Sequence, residues 1–256
     1  MSPAGLVEGK AGIVTGAAGG IGRASARCLA GEGASVVVTD LESRRPAGEE
    51  TVRLITEDGG RAVFVPGDVT READQRRLVE QCVSAFGALD FAHNNAGVDL
   101  QATVEGTSVE DWDHVLDVNL KGVWLGMKHQ IAQMRRHGGG SIINTASLGG
   151  LMAIPRLAAY IASKHAVIGI SRAAALEAAD AGIRVNALCP STTRTPMLAE
   201  LDPERVREIV RPHAIKRLCE PHEVAEAVAW LASDRSSLVT GVAFKADLGL
   251  GAGVAG

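Results

Sequence analysis

Short apolar runs alternate along the chain with longer segments whose apolar residues recur at helical spacing. The short runs predict strands at 11–16, 35–40, 61–69, 89–97, 138–147, 182–190 and 240–247. The longer segments predict helices at 21–34, 44–58, 74–87, 112–134, 158–180 and 222–233. Repeated strand–helix alternation is typical of βαβ units, in which a parallel sheet carries helices on both faces. The sequence therefore predicts a doubly wound α/β fold with three α/β/α layers.

Length and composition indicate how many domains to expect. The chain has 256 residues, of which 46% are apolar and 22% are charged. These values are near the average for globular proteins, and no linker, repeat or change of composition divides the chain. We therefore expect one domain over residues 1–256.

Charge and targeting signals limit the classes of partner. The net charge is −4 and no basic run is present, which argues against a nucleic-acid partner. No apolar run approaches the roughly 20 residues of a membrane span. The amino terminus lacks the basic start and apolar stretch of a signal peptide. A cytoplasmic protein without a membrane partner is the expectation.

Cysteines and histidines give no metal-binding pattern. The four cysteines are scattered, with no CxxC pair, and the seven histidines include no HExxH motif. We expect buried free thiols in a reducing compartment and no metal site. The four cysteines are Cys28, Cys82, Cys189 and Cys219.

A glycine-rich turn follows the first predicted strand and opens the first helix. It reads TGAAGGIG over Thr15–Gly22. Gly16 permits a tight turn, while Gly20 and Gly22 let the backbone approach a pyrophosphate. The helix amino terminus then offers free N–H groups to the anion. A glycine turn alone is weak evidence, but its strand-to-helix context predicts a Rossmann-like dinucleotide site.

An acidic residue ends the second predicted strand. Asp40 stands at about the distance at which a ribose-binding carboxylate is expected after the glycine turn. Its carboxylate would accept hydrogen bonds from ribose hydroxyls and repel a 2′-phosphate, which favours NAD over NADP. The alternative is a solvated strand end. A P-loop is excluded because no Gly-Lys-Ser/Thr follows.

Candidate catalytic chemistry lies in the second half of the chain. Tyr160 is the only tyrosine, and Lys164 follows four residues later, on the same face of a helix. An ammonium beside a phenol lowers the pKa of the phenol and makes it a proton donor or acceptor near neutral pH. Ser147 closes the fifth strand at the sheet edge where such folds bind ligands. Taken singly, these residues could also be surface neighbours and a turn or N-cap serine.

Together these segments resemble the short-chain dehydrogenase/reductase family over nearly the whole chain. The motifs that carry the resemblance are TGAAGGIG, the Asp68-Val69 pair, NNAG at 94–97, Asn119 in DVNLKG, Ser147, and YIASK at 160–164. The resemblance implies that Tyr160 is the general acid/base and that Lys164 lowers its pKa and binds the nicotinamide ribose. It also implies that Ser147 orients the substrate oxygen and that Asn119 holds a proton-relay water.

The resemblance further implies a series of NAD contacts. These are Gly16, Ala18, Gly20, Ile21 and Gly22 at the pyrophosphate, Asp40 at the adenosine ribose, Asp68 and Val69 at the adenine, Asn95, Ala96 and Gly97 beneath the adenosine and ribose, and Pro190 and Thr193 at the nicotinamide, with Tyr160 and Lys164. Thr195 would lie near the nicotinamide carboxamide or the phosphates. NADP-dependent members often carry a basic residue near the second glycine or just after the second strand. Here Arg44 and Arg45 lie further on, so a minor NADP activity stays open.

Two positions depart from the family pattern. Ser191 follows Pro190 where a glycine is usual, and Leu248 stands between Asp247 and Gly249 where another glycine is usual.

Residues 191–217 are expected to form a flap over the substrate pocket. The resemblance also implies a homotetramer or homodimer and a small-molecule secondary alcohol or ketone as substrate, with a hydrophobic or cyclic one as our guess.

Two other functions compete with an NAD-dependent alcohol dehydrogenase. A non-catalytic dinucleotide sensor or scaffold could use the same fold, although the intact Tyr160, Lys164, Ser147 and Asn119 argue against it. A sugar-nucleotide epimerase or dehydratase would need a longer carboxyl-terminal region and a different glycine spacing.

Overall fold

Seven parallel strands form the central sheet, in the order β3-β2-β1-β4-β5-β6-β7. The structure is a computed structural model and describes residues 5–195 and 202–253. The strands are β1 (Ala11–Thr15), β2 (Ser35–Thr39), β3 (Arg61–Phe64), β4 (Phe91–Asn94), β5 (Gly140–Thr145), β6 (Ile183–Pro190) and β7 (Ala243–Ala246). All seven predicted strands are confirmed, although β3 ends well before residue 69.

Helices cover both faces of the sheet. They are α1 (Gly20–Gly31), α2 (Arg45–Glu57), α3 (Glu72–Phe86), α4 (Val109–Leu116), α5 (Gly122–His137), α6 (Ala158–Ala178), α7 (Pro203–Val210) and α8 (Pro221–Ala232). One buried cluster joins α3, α5 and α6 to the sheet, and a second joins α1, α2 and α8 to its other face. The predicted three-layer, doubly wound architecture is confirmed.

Neighbouring residues of a strand contribute to opposite cores, because successive side chains point to opposite faces. In β1, Ile13 packs in the α3/α5/α6 core and Val14 packs in the α1/α2/α8 core. The near-continuous apolar runs of β1 and β2 follow from burial on both faces. Between β1 and β4 the order of the strands reverses, which opens a crevice at their carboxyl ends.

The helix expected at 112–134 is present, but its middle is not α-helical. A π-helical turn, Asp117–Lys121, separates α4 from α5. Such turns contain an extra residue and are frequent at functional sites. The apolar pattern runs through the insertion, so hydrophobic spacing did not reveal it. Helix α7 was not predicted, and it lies within the expected flap, of which 196–201 fall outside the described residues.

Candidate active site

The glycine turn after β1 packs closely against the end of β4. Gly16 has a φ of +66°, and a Cβ built there would lie 2.9 Å from Cα of Ala96. A Cβ on Gly22 would lie 2.2 Å from the carbonyl oxygen of Gly16. A side chain at either position would therefore displace backbone, which explains why glycine is required here.

Hydrogen bonds join the NNAG segment to β1. The Thr15 hydroxyl oxygen accepts from the backbone N–H groups of Asn95 and Ala96, each at 2.9 Å. The Asn95 side-chain amide donates to the Thr15 carbonyl at 3.0 Å. This brings two sequence-predicted cofactor segments together at the crevice.

The amino terminus of α1 fits a pyrophosphate. Gly19 at the N-cap supplies no side-chain acceptor, and no acidic residue stands in the first turn. Uncapped N–H groups and the positive end of the helix favour an anion there. Thr195 lies alongside, since its methyl carbon would be 3.3 Å from a Cβ built on Gly20. Arg23 steadies the turn by donating to the Ala18 carbonyl at 2.7 Å.

Asp40 lies beside this turn. Its carboxylate accepts a hydrogen bond from the Ala18 N–H at 3.1 Å and from the Leu41 N–H at 2.9 Å. A cation is also close, because the Arg44 guanidinium lies 3.9 Å from a Cβ built on Gly19. The surface beside the glycine turn therefore has both a carboxylate and an exposed guanidinium.

A cavity of about 430 Å³ opens beyond Asp40, between the segment after β2 and the segment after β3. Asp68 lines it, and its carboxylate accepts from the Thr70 N–H at 2.9 Å and the Thr70 hydroxyl at 2.7 Å. Val69 packs on the start of α5, 2.9 Å from a Cβ built on Gly122. Of the two adenine positions expected from the sequence, Asp68 thus lines this cavity and Val69 lies against α5.

Tyr160 and Lys164 occupy the first turns of α6. The Lys164 ammonium lies 5.5 Å from the centre of the Tyr160 ring. It is buried and donates to the Thr145 carbonyl at the end of β5, at 2.7 Å. The Thr145 contact was not anticipated, because the acceptor is a backbone atom that any residue would supply.

Asn119 lies in the π-helical turn and reaches the same corner. Its side-chain oxygen accepts from the Val98 N–H, and its amide donates to the Val98 carbonyl, each at 2.8 Å. The amide also donates to the Ser163 hydroxyl at 3.1 Å. A Cβ on Gly97 would fill the space, 3.1 Å from the Asn119 oxygen and 3.5 Å from the Lys164 nitrogen. Asn119 and Lys164 therefore face a common gap.

Ser147 follows β5 and lies against Tyr160. Its hydroxyl oxygen accepts from the Gly149 N–H at 3.0 Å. A Cβ on Gly149 would be 3.4 Å from that oxygen and 3.5 Å from the Tyr160 ring. The turn after β5 thus holds the serine hydroxyl next to the phenol, as the sequence motif predicts.

The pKa of Tyr160 is shifted in the direction opposite to the one expected from the sequence. Burial raises the pKa of Tyr160, the Ser147 hydroxyl lowers it, and the nearby Asp99 carboxylate raises it again. Burial also lowers the pKa of Lys164 to about 8. The Lys164 ammonium donates to the Thr145 carbonyl, and while charged it favours the phenolate from 5.5 Å, but burial outweighs this. The phenol is therefore mostly protonated at neutral pH.

The strand β6 ends at Pro190, and the following residues bend over the cleft. Thr193 is buried and donates its hydroxyl to the Ser191 carbonyl at 3.0 Å. Two backbone hydrogen bonds join this segment to Cys219. The Arg194 N–H donates to the Cys219 carbonyl at 2.8 Å, and the Cys219 N–H donates to the Thr192 carbonyl at 3.0 Å. This pairing fixes the residues expected at the nicotinamide.

The two departures from the family pattern behave differently. Among the described residues, the non-glycine residues with positive φ are Arg156 and Leu248. Ser191 therefore needs no left-handed conformation. Leu248 adopts one, with a φ of +54°, while the Asp247 carboxylate accepts from the Gly249 and Gly251 N–H groups at 3.0 and 2.8 Å. The turn keeps its shape without the usual glycine.

Two further features of the described residues concern membranes and metals. Within 5–195 and 202–253, no helix has the length and apolar character needed to cross a bilayer. In the same ranges, no three His, Cys, Asp or Glu side chains cluster as metal ligands would. All four thiols are free, and Cys28 is only half-buried.

Comparison with known proteins identifies a matching family model and several relatives of this chain. A family model described as enoyl-(acyl carrier protein) reductase matches residues 16–251. Cyclohexanol dehydrogenase of an Acinetobacter species is 43% identical over 242 residues, covering 93% of each chain. A 3-alpha-(or 20-beta)-hydroxysteroid dehydrogenase of Mycobacterium tuberculosis is 39% identical over 251 residues, covering 98% of this chain and 93% of its own.

The fold has a close counterpart among solved structures. Levodione reductase superposes with a TM-score of 0.89 at 34% sequence identity, covering 96% of this chain and 98% of that one. The sequence matches and the structural match each cover nearly the whole chain. The matched region includes Ser147, Tyr160 and Lys164. The chain belongs to the short-chain dehydrogenase/reductase family and is an oxidoreductase that acts on alcohol/ketone pairs.

Proposed function

We propose that the protein oxidises secondary alcohols, or reduces the matching ketones, with NAD as cofactor and Tyr160 as general acid/base. The observation that carries the proposal is the meeting of Tyr160, Ser147 and Lys164 at the carboxyl edge of the sheet. The amine lies 5.5 Å from the phenol ring. The uncapped, glycine-lined amino terminus of α1 follows β1, whose carboxyl end faces the crevice between β1 and β4.

The residues around the cleft fit a nicotinamide dinucleotide. The turn at 16–22 and Thr195 would hold the pyrophosphate, Asp40 the adenosine ribose, and Lys164 the nicotinamide ribose. Asp68 and Val69 would flank the adenine, with Asn95–Gly97 beneath it. When bound, the cofactor supplies the hydride acceptor for oxidation and the hydride donor for reduction.

Each catalytic side chain has a separate task. Ser147 is already held beside the phenol and would hydrogen-bond the substrate oxygen, which fixes the carbinol carbon for transfer. Tyr160 would take the hydroxyl proton during oxidation and return it during reduction. Lys164 and Asn119 border one gap, through which a water could carry that proton to solvent.

The pKa of Tyr160 gives a direction to the pH dependence. Oxidation needs the deprotonated phenol, and burial raises its pKa, so oxidation should accelerate as pH rises. Reduction needs the protonated phenol and should slow over the same range. Lys164 loses its charge near pH 8, which removes an electrostatic contribution that favours the phenolate and flattens the rise.

NAD is proposed over NADP because Asp40 is fixed beside the turn by two backbone N–H groups. A carboxylate there accepts from ribose hydroxyls and repels a 2′-phosphate. The neighbouring Arg44 guanidinium attracts a phosphate, which is the basis for residual NADP use.

A hydrophobic or cyclic substrate is proposed. The relatives named above are called cyclohexanol dehydrogenase and hydroxysteroid dehydrogenase. In this chain, Leu151, Met152 and Ile154 follow Ser147 and expose apolar side chains. We propose that this surface, together with residues 191–217 as a flap, bounds the substrate site.

A homotetramer in the cytoplasm completes the proposal. Trp124 on α5 is 50% exposed and Leu176 on α6 is 84% exposed, which is typical of a covered subunit face. Sedimentation velocity tests the assembly, and the free thiols fit a reducing compartment.

The decisive experiment is a panel of secondary alcohols offered with NAD⁺ or NADP⁺, followed by absorbance of the reduced nicotinamide. We expect turnover of cyclic alcohols with NAD⁺. Tyr160→Phe should lose 10²-fold or more in kcat, in line with general acid–base magnitudes, while NADH binding by fluorescence is unchanged. Turnover of the variant within tenfold of the parent would refute the role of Tyr160.

A further inference from the structure

Three polar side chains form a chain of hydrogen bonds just beyond β6. The Ser191 hydroxyl lies 3.0 Å from Nε2 of His213 and 3.2 Å from Sγ of Cys219. The Cys219 sulfur lies 3.6 Å from the Ala246 carbonyl oxygen on β7. Ser191 thus joins the segment after α7 to the segment before α8 and to the sheet.

The donors and acceptors allow one consistent direction. His213 is fully buried, and its Nδ1 has no hydrogen-bond partner among the described residues. The proton therefore belongs on Nε2, which donates to the Ser191 oxygen. Ser191 can then donate to Cys219, whose thiol donates to Ala246. Burial raises the pKa of Cys219, so that sulfur keeps its proton.

The same residues brace the backbone at the cleft. Cys219 pairs with Thr192 and Arg194 through two backbone hydrogen bonds of 3.0 and 2.8 Å. Between those two residues stands Thr193, which is buried. One residue beyond them stands Thr195, whose methyl carbon lies beside Gly20, 3.3 Å from where a Cβ would be. The side-chain network therefore holds residues 192–195, here called the strip, which run from the proposed nicotinamide end of the site to the proposed pyrophosphate end.

We propose that Ser191, His213 and Cys219 are positioning residues that fix Thr193 and Thr195 for cofactor binding. The inference rests on the proposed function, because it assumes that this strip contacts the dinucleotide. A glycine at position 191 offers no hydroxyl, so the serine found here supplies the central link. The Ser191 hydroxyl acts through the strip and need not touch the substrate.

The physical reason lies in the burial of the imidazole. Without the Ser191 hydroxyl, the His213 N–H has no acceptor, and a buried donor without a partner is destabilising. Moving the 211–219 segment to let water reach His213 relieves that cost, and it also moves the paired strip. Cofactor affinity should therefore fall, while the reacting residues on α6 stay in place.

The test compares Ser191→Ala with Ser191→Thr, which keeps the hydroxyl. For Ser191→Ala we expect the Kd for NADH and the KM for NAD⁺ to rise about tenfold, while kcat at saturating cofactor changes less than about twofold. Ser191→Thr should stay within about threefold of the parent. A merely structural role would lower Tm in Ser191→Ala and leave Kd unchanged, which would overturn the proposal.

Two further variants keep the test informative if Ser191→Thr packs badly. His213→Gln retains an amide donor near the Nε2 position and should bind NADH almost as the parent does, whereas His213→Leu should resemble Ser191→Ala. In the double variant Ser191→Ala/His213→Leu, the losses should not add, because both break the same link. Additive losses would contradict a shared network.

A readout without turnover separates this proposal from the proposed function. Cys219 is buried, and its alkylation by iodoacetamide, mapped by peptide mass spectrometry, should be several times faster in Ser191→Ala than in the parent. Cys82 is buried on α3, away from the network, and serves as the internal control. If no alcohol is turned over but Cys219 is selectively exposed, the proposed function fails and the network survives. Unchanged alkylation and unchanged Kd together refute the network.

Discussion

The nucleotide half of the protein, residues 11–69, and the catalytic half, residues 91–253, are built by different means. In the nucleotide half the cleft is shaped by backbone, as at Gly22, where an added Cβ would lie 2.2 Å from a carbonyl oxygen. In the catalytic half the cleft is shaped by buried polar side chains, such as Asn119, which makes three hydrogen bonds.

The buried polar groups show the same division. Those of the nucleotide half are all hydroxyls, at Thr15, Ser25, Ser35, Thr39 and Thr51. Those of the catalytic half include the ionisable His93, Lys164, His213 and Asp247, and the carboxamides Asn94, Asn119, Gln130, Asn144 and Asn186. A backbone cradle tolerates no added atoms, whereas a side-chain network responds to protonation and loss of partners. The two halves should therefore fail in different ways.

The largest effect is expected in the backbone cradle. Gly22→Ala places a methyl group against the Gly16 carbonyl and should weaken NADH binding 10²-fold or more, since ångström-scale displacement has effects of that size. The control is Gly31→Ala at the other end of α1, where a Cβ meets nothing within 4 Å. Fluorescence titration should give parental Kd for Gly31→Ala. Equal Kd values for both variants would show that the cradle is not backbone-limited.

The next effect is acid sensitivity in the catalytic half. Burial lowers the pKa of His93 to about 3, whereas an unfolded histidine titrates near 6.5. Below pH 6.5 the unfolded state binds a proton that the folded state refuses, so stability falls by about 1.4 kcal/mol per pH unit down to about pH 3.

His93→Gln should remove this contribution. Between pH 7 and pH 5 its unfolding free energy, measured in urea, should fall about 2 kcal/mol less than that of the parent. Comparing each protein with itself cancels the cost of the substitution at pH 7. An equal fall in both proteins would mean that His93 is charged or solvated in the folded state.

A smaller effect concerns cofactor choice. Asp40→Ser should reduce kcat/KM with NAD⁺ about tenfold, because a charged hydrogen bond to the ribose is lost, and should raise it with NADP⁺. Arg44→Ala is the matched variant and should reduce only the NADP⁺ value. Steady-state kinetics with both cofactors measure this. A change of equal size and sign for the two cofactors would argue against ribose binding by Asp40.

The smallest effect probes strain near the substrate site. Arg156 is exposed and has a φ of +66°, which costs a non-glycine residue about 1 kcal/mol. Arg156→Gly should therefore raise the unfolding free energy by up to about 1 kcal/mol. Arg156→Ala removes the same side chain but keeps the strain, and it should bring no gain. Equal stabilisation by both variants would show that the gain comes from removing the Arg156 charge and not from relieving backbone strain.

Sequence predicted the nucleotide half well because glycines and strand periodicity are local signals. The turn at 15–22 and Asp40 stand where expected. The candidate catalytic residues Ser147, Tyr160 and Lys164 also lie close together, as their positions in the sequence pattern predicted. Long-range partners were not predictable: Ser191 reaches His213 and Cys219, which are 22 and 28 residues away. The raised pKa of Tyr160 likewise depends on burial, which no motif encodes.

The π-helical turn at Asp117–Lys121 ties catalysis to the outer surface of the molecule. Deleting one residue there would restore a regular helix, but it would rotate α4 by about 100° and shift it by about 1.5 Å along its axis relative to α5. Trp112, on α4, would then turn away from its present face. The π-helical turn that carries Asn119 therefore also sets the direction in which Trp112 points, about two turns away.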